Sequence, residues 1–175
     1  PVNPYAVSKI GQEYLAVQYF LSRGLPIVLT RAFNHFGPGQ SERFVASSFA
    51  RQFVLIEQGL SKPRIEVGNL KAVRDFTDVR DVVRAYHLAL EKGKPGEIYN
   101  VSGGRPREVG EILHFYLRRA SVKIKVLFRA ERARTAEAHF LAGDPRKLRE
   151  RTGWRPRIEF EETLSDLLND WMERV

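Results

Sequence analysis

The sequence predicts an α/β fold with a parallel sheet over at least part of the chain. Apolar, β-branched runs such as PIVLTRAF and EIYNV alternate with segments of helical period, and glycines stand at the ends of those segments. No repeat or low-complexity stretch interrupts the alternation. With 175 residues, 43% hydrophobic and 11% aromatic, the chain can bury a sizeable core.

Asn3 is placed to cap a first helix with Pro4 at its first position, and Gly24 followed by Pro26 ends it, giving helix over 4–23. PIVLTRAF then reads as a buried strand running into the turn-rich NHFGPGQ. Residues 44–58 read as helix up to Gly59, and IEVG and RDF as two short strands around GNLKAV. A helix over about 78–92 carries Val79, Val82, Val83, Tyr86 and Ala89 at helical spacing, with Gly93 as its stop. EIYNVSGG is a strand entering a glycine turn, 108–120 a helix, and KIKVLF a further strand. The tail holds a short helix after Asp144, the turn TGWRP, and a last helix with Leu164, Leu167, Leu168 and Trp171 on one face.

Composition narrows the function. There is no run of about 18 apolar residues and no basic-then-apolar leader, so a cytoplasmic protein with no membrane partner is expected. The chain has no cysteine, and His35, His87, His114 and His139 show no ligand spacing, so no metal is expected. The formal charge of +8 is uneven: 15 Lys and Arg face 6 Asp and Glu between Arg105 and Arg157, leaving about −1 for the rest. These cations are scattered among acids and apolar residues, with no aromatic row for base stacking, so no nucleic-acid partner is expected.

The chemistry begins at YAVSK. At about 100° per residue, Val7, Ile10, Tyr14, Val17 and Leu21 form one stripe, while Tyr5 and Lys9 share a face well away from it. Side chains four residues apart on a helix approach to about 5–6 Å at Cβ. An ammonium beside a phenol favours phenolate, which a tyrosine needs to pass protons near neutral pH. Spacing alone favours a solvated helix face, since a tyrosine and a lysine four residues apart occur by chance in many helices.

Five stretches in order bear on that choice: YAVSK opening a helix, VLTRAFNHFGPGQ, GNLKAVRDFTDVRDVVRAY, GEIYNVSGG and RTAEAHFLAGDPRKLRERTGWRP. In order and spacing they resemble the back part of extended short-chain dehydrogenases/reductases that act on nucleotide sugars. FNHFGPGQSERFVASSFARQ is most similar to GDP-4-keto-6-deoxymannose reductases and next to GDP-mannose 4,6-dehydratases. The resemblance implies the C-terminal part of a Rossmann-type doubly wound sheet plus a smaller α/β substrate-binding domain. Residues 1–36 would end the dinucleotide-binding domain and 37–175 would mainly bind nucleotide sugar, with a strand near 97–102 returning to the first sheet.

Residue by residue, it implies that Tyr5 exchanges the proton at the sugar C4 oxygen and that Lys9 tunes Tyr5 and holds the nicotinamide ribose. Arg31, Phe33, Asn34 and His35 would stand beside cofactor and substrate, with Asn34 on a phosphate or sugar oxygen; His35 reads equally as a turn residue bonded to backbone. Gly37, Pro38 and Gly39 shape the following turn. Phe44 and Val45 match positions that line the nucleotide, or else serve as core. Arg74 is the diphosphate candidate, because a guanidinium takes two phosphate oxygens at once; its alternative is a salt bridge with Asp75 or Asp78. Arg134 would approach the phosphates or base and Glu137 a ribose hydroxyl or the base, although Thr135 stands where relatives have proline. Asn100 and Ser102 read as structural, and Trp154 and Trp171 as core of the smaller domain.

The implied cofactor is NAD or NADP, NADP favoured. The implied partners are a GDP-linked sugar and, through the helix of Tyr5, a second copy. Among the 175 residues there is no G-x-x-G-x-x-G turn to hold a dinucleotide pyrophosphate, and no Ser or Thr completing the family's triad. Little turnover is therefore expected of this polypeptide alone. The other classes open to it are a dehydratase or epimerase on nucleotide sugars and a non-catalytic nucleotide-sugar-binding module.

Overall fold

The first helix has the expected limits because both of its ends are fixed locally. Asn3 Oδ1 accepts the Ala6 N–H at 2.8 Å, Pro4 opens the helix, and Gly24, at φ 64°, returns its N–H to Phe20 O. The structure, a computed structural model, describes residues 3–129 and 139–175. The described elements run α1 (Pro4–Arg23), β1 (Leu29–Ala32), β2 (His35–Phe36), α2 (Val45–Glu57), β3 (Arg64–Val67), β4 (Val73–Asp75), β5 (Thr77–Asp78), α3 (Val79–Lys92), β6 (Ile98–Val101), β7 (Pro106–Glu108), α4 (Val109–Leu117), β8 (Lys125–Phe128), β9 (Phe140–Leu141), α5 (Arg146–Thr152) and α6 (Phe160–Arg174).

The α/β expectation holds. β1 pairs parallel with β6, in register from Leu29 opposite Ile98 to Ala32 opposite Val101, and the connection between them includes α3. β2 and β5, and β3 and β8, are also parallel pairs. β4 lies between β7, antiparallel, and β9, parallel. The strands expected at IEVG and RDF thus enter different sheets. β2, β5, β7 and β9 have two or three residues each and were not expected.

Buried side chains gather in two clusters. The larger joins α2, α4 and α6 to β3, with Phe49, Phe53, Ile65, Tyr116, Leu164 and Trp171 among its members. The smaller contains Val82, Ala85, Ala89, Tyr99, Val101, Leu148 and Trp154. Both tryptophans are core, as expected, but in different clusters: Trp154 packs with β6 and α3 and its Nε1–H donates to Asp81 O at 3.0 Å, while that of Trp171 donates to Ser47 Oγ at 2.8 Å.

Two helix faces also depart from the pattern reading. α3 buries Asp81, Val82, Ala85 and Ala89, leaving Val83 and Tyr86 exposed, because apolar residues on several sides of the helix do not specify which side meets the sheet. On α1, Val7, Ile10, Tyr14 and Leu21 are 41–75% exposed, and the half-buried residues are Ala6, Glu13, Ala16, Val17 and Phe20. That second face, lying between the apolar stripe and the Tyr–Lys face, rests on the β1–β6 region; Gly96 leaves room for the Phe20 ring there.

Many cations of the basic stretch are paired locally. Arg105 meets Glu159, Arg107 meets Glu111, Arg146 meets Asp144 and Lys147 meets Glu97, and Arg151 donates to Lys92 O.

Candidate functional site

Tyr5 is the second residue of α1, with 69% of its surface open to solvent. One turn on, Lys9 Nζ lies 5.5 Å from the Tyr5 ring centroid and donates to Gln12 Oε1 at 3.1 Å. The two share one open face, as their spacing requires. Tyr86 on α3 stands near enough to feel Tyr5: its phenol is pushed above the usual tyrosine value, first by burial and then by the charge Tyr5 acquires on ionising.

The strand ends gather the next candidates. Arg31 makes a two-point contact with Glu13 of α1, Nε to Oε2 at 2.7 Å and an NH2 to Oε1 at 2.6 Å. Those hydrogen bonds hold Glu13 below the usual carboxylate range and Arg31 above its ordinary value. Asn34 follows β1; its carbonyl accepts the Thr77 N–H at 3.0 Å and its side chain is exposed. His35 is exposed too, with Nδ1 3.1 Å from Phe33 O, the local contact proposed as its turn role.

Arg74 is only 8% exposed and lies on β4 between two neighbouring strands. Its guanidinium donates to Val73 O at 2.8 Å and to His139 O at 3.5 Å. Phe44, at the N-cap of α2, is 59% exposed, which removes the core alternative for it, whereas Val45 packs against the larger cluster. Asn100 Nδ2 donates to Asp144 O at 3.4 Å. Ser102 is fully buried, its Oγ without a hydrogen-bond partner among the described residues. Arg134 and Glu137 lie outside the described residues.

The sequence suggested Asp75 and Asp78 only as partners for Arg74, and no role for Asp81. Each instead holds a distant segment. Asp75 accepts the N–H groups of Gly103 and Gly104. Asp78 caps α3 through the Arg80 N–H and accepts Arg80 and the Thr163 hydroxyl of α6. Burial alone would raise the Asp78 carboxyl, but the hydrogen bonds and charge of Arg80, with the Thr163 hydroxyl, outweigh it and hold it below the usual range. Asp81 accepts the N–H groups of Arg157 and Ile158 at 2.8 and 2.9 Å and pairs with Arg84. The available signal was the three-residue spacing of acids in a segment otherwise suited to burial, since a buried carboxylate requires donors.

This arrangement can deliver or take a proton at an open tyrosine beside a lysine. It also sets the Arg74 guanidinium, nearly buried, into the β7–β4–β9 sheet. Among the described residues no group of His, Asp and Glu is placed to hold a metal ion, and no helix is long and apolar enough to cross a membrane.

Comparison with known proteins gives the same direction. The chain is 39% identical over its full length to GDP-6-deoxy-D-mannose reductase of Pseudomonas aeruginosa, covering 58% of that protein. It is 31% identical to GDP-mannose 4,6 dehydratase 2 of Arabidopsis thaliana, with 99% of the chain and 46% of the relative aligned. A structure of RMD from Pseudomonas aeruginosa complexed with NADPH superposes with a TM-score of 0.92 at 39% identity, covering 99% of this chain and 57% of that one. The NAD complex of UDP-glucose 4-epimerase from Thermus thermophilus matches with a TM-score of 0.85 at 29% identity, over 100% of this chain and 56% of that one. The chain thus spans a little over half the length of the reductase, and its α/β fold is Rossmann-like. The family model described as GDP-mannose 4,6 dehydratase matches residues 1–167, and the chain belongs to that family, within the NAD(P)-dependent epimerases and dehydratases of the extended short-chain dehydrogenase/reductase type.

Proposed function

We propose that this chain supplies the proton-transfer pair and the nucleotide-sugar grip of an NADPH-dependent reductase acting at C4 of GDP-4-keto-6-deoxymannose. The observation that carries the reading is the open Tyr5–Lys9 face, with Lys9 Nζ 5.5 Å from the phenol ring, in a chain 39% identical to a GDP-6-deoxy-D-mannose reductase along its whole length. NADPH is favoured because the RMD structure holds it.

The residues present fit the nicotinamide end of such a cofactor: an exposed ammonium able to bond ribose hydroxyls, next to an exposed phenol. The dinucleotide, when bound, supplies a hydride to the C4 carbon. The Tyr5 O–H donates its proton to the C4 oxygen, so carbonyl becomes alcohol, and the Lys9 ammonium stabilises the phenolate left behind. Arg74 takes two diphosphate oxygens, Asn34 bonds a phosphate or sugar oxygen, and Phe44, backed by Val45 on the core, flanks the nucleotide. Arg134 and Glu137 complete the grip on the nucleotide. Arg31 and His35 border the cofactor. The exposed stripe of Val7, Ile10, Tyr14 and Leu21 supports a second copy as partner.

A second reading, dehydration of GDP-mannose, is favoured by the family model itself and by the Arabidopsis dehydratase. A chimaera carrying the dinucleotide-binding part of the Pseudomonas aeruginosa reductase ahead of Pro1 separates the two. Consumption of NADPH with GDP-4-keto-6-deoxymannose supports the reductase. Conversion of GDP-mannose to a 4-keto sugar without net NADPH use favours the dehydratase and overturns the first reading.

A further inference from the structure

Asp75 has no exposed surface, and its two carboxylate oxygens take two successive main-chain N–H groups, Gly103 to Oδ1 and Gly104 to Oδ2, each at 2.8 Å. Gly104, at φ 73°, takes the chain away from the carboxylate in the left-handed conformation directly after the second donor. Arg149 holds the same turn from elsewhere, its guanidinium donating to Gly103 O at 2.7 Å. This turn follows directly on β6, the partner of β1, whose last residue Ala32 precedes the Asn34 and His35 positions by two and three residues. Asp75 therefore ties β4 to the C-terminal end of the β1–β6 pair.

Arg74 is the neighbour of Asp75 on β4, and successive strand side chains point to opposite faces. Fixing the Asp75 side chain on the glycine turn directs Arg74 the other way, where it meets His139 O. We propose that Asp75 is a positioning residue that sets the facing of Arg74, and its placement relative to the ends of β1 and β6, for diphosphate binding. This rests on the reading of Arg74 as a diphosphate ligand. A carboxamide cannot replace the carboxylate, because it offers one acceptor oxygen and one NH2 to two N–H donors, so one bond is lost and its donor faces another donor.

The test compares Asp75→Asn with Asp81→Asn in this chain. Asp81 also receives two main-chain N–H groups, but from residues 157 and 158. Amide hydrogen exchange is read at Val73, whose N–H donates to His139 O at 2.8 Å, and GDP affinity is read by calorimetry. In Asp75→Asn, Val73 exchange is expected to quicken and GDP affinity to fall, each by about tenfold, the worth of roughly one hydrogen bond. In Asp81→Asn, compared at equal distance below its melting temperature, both are expected to stay within about twofold while residues 157 and 158 exchange faster. Unchanged Val73 exchange in Asp75→Asn once Gly103 has loosened, or equal effects from both variants, overturns the proposal. Failure of the wild-type chain to bind GDP overturns the diphosphate reading instead, and the exchange comparison still decides the positioning claim. If Asp75→Asn does not fold, Asp75→Glu, which keeps the charge and moves it by one methylene, is read in the same way.

Discussion

Helix α1 and the segment Arg74–Asp81 are both rich in polar side chains, yet they use them in opposite ways. α1 has 20 residues and buries none of them. The eight residues from Arg74 to Asp81 include five that are buried and polar: Arg74, Asp75, Thr77, Asp78 and Asp81. In the first region the polar groups face outward beside Tyr5, the proposed proton donor. In the second, the three aspartates are hydrogen-bonded internally and join β4 and α3 to α6 and to loops that follow much later in the chain. If Tyr5 and Lys9 carry the proposed chemistry, chemistry and architecture rest on separate groups, and substitutions in the two regions should fail differently.

The largest stability effect should come from the architecture that the second segment supports. Trp154 is fully buried and donates to Asp81 O. Trp154→Ala is expected to cost about 3–5 kcal/mol, read as a fall in the denaturant midpoint. A cost near zero would mean that the smaller core does not depend on this contact.

Asp78→Asn should be milder, about 1–3 kcal/mol, since the charged bonds to Arg80 weaken while Thr163 keeps an acceptor. Its pH signature is sharper than its size. Because the folded Asp78 carboxyl lies below its unfolded value, its contribution is complete above about pH 4 and is lost as the pH falls through the depressed folded value. Acid unfolding of Asp78→Asn should therefore be shallower than wild type in that window. Parallel curves would show that Asp78 does not drive acid sensitivity.

Surface contacts of α1 should matter least to stability. Arg31 and Glu13 have side-chain exposures of 57% and 22%, so Glu13→Gln is expected to cost at most about 1 kcal/mol, and less at high salt. A loss of several kcal/mol would show that α1 is held by this pair and not by the Phe20 contact near Gly96.

The same contrast explains what the sequence could show. Helix limits at Asn3, Pro4 and Gly24 are local chemistry, and the structure repeats them. The Tyr5–Lys9 face is a matter of helical angle and was equally legible. β7 and β9 were not, because PRE and FL carry no strand pattern and become strands only beside β4. Nor were the duties of Asp75, Asp78 and Asp81, whose partners at Gly103, Thr163 and Arg157 lie 28, 85 and 76 residues away. That Trp154 would be core was legible, but not which cluster it joins: its partners are set by how α5 docks on β6 and α3, which no local period encodes.

The central claim is that Tyr5 acts on the substrate and contributes nothing to the fold. Tyr5→Phe in the chimaera, assayed for kcat with GDP-4-keto-6-deoxymannose and NADPH alongside its melting temperature, tests it most directly. The expected result is a fall in kcat of about 10²–10⁴-fold with stability unchanged within about 0.5 kcal/mol. A variant that keeps its wild-type rate, or loses activity only in step with stability, would contradict it.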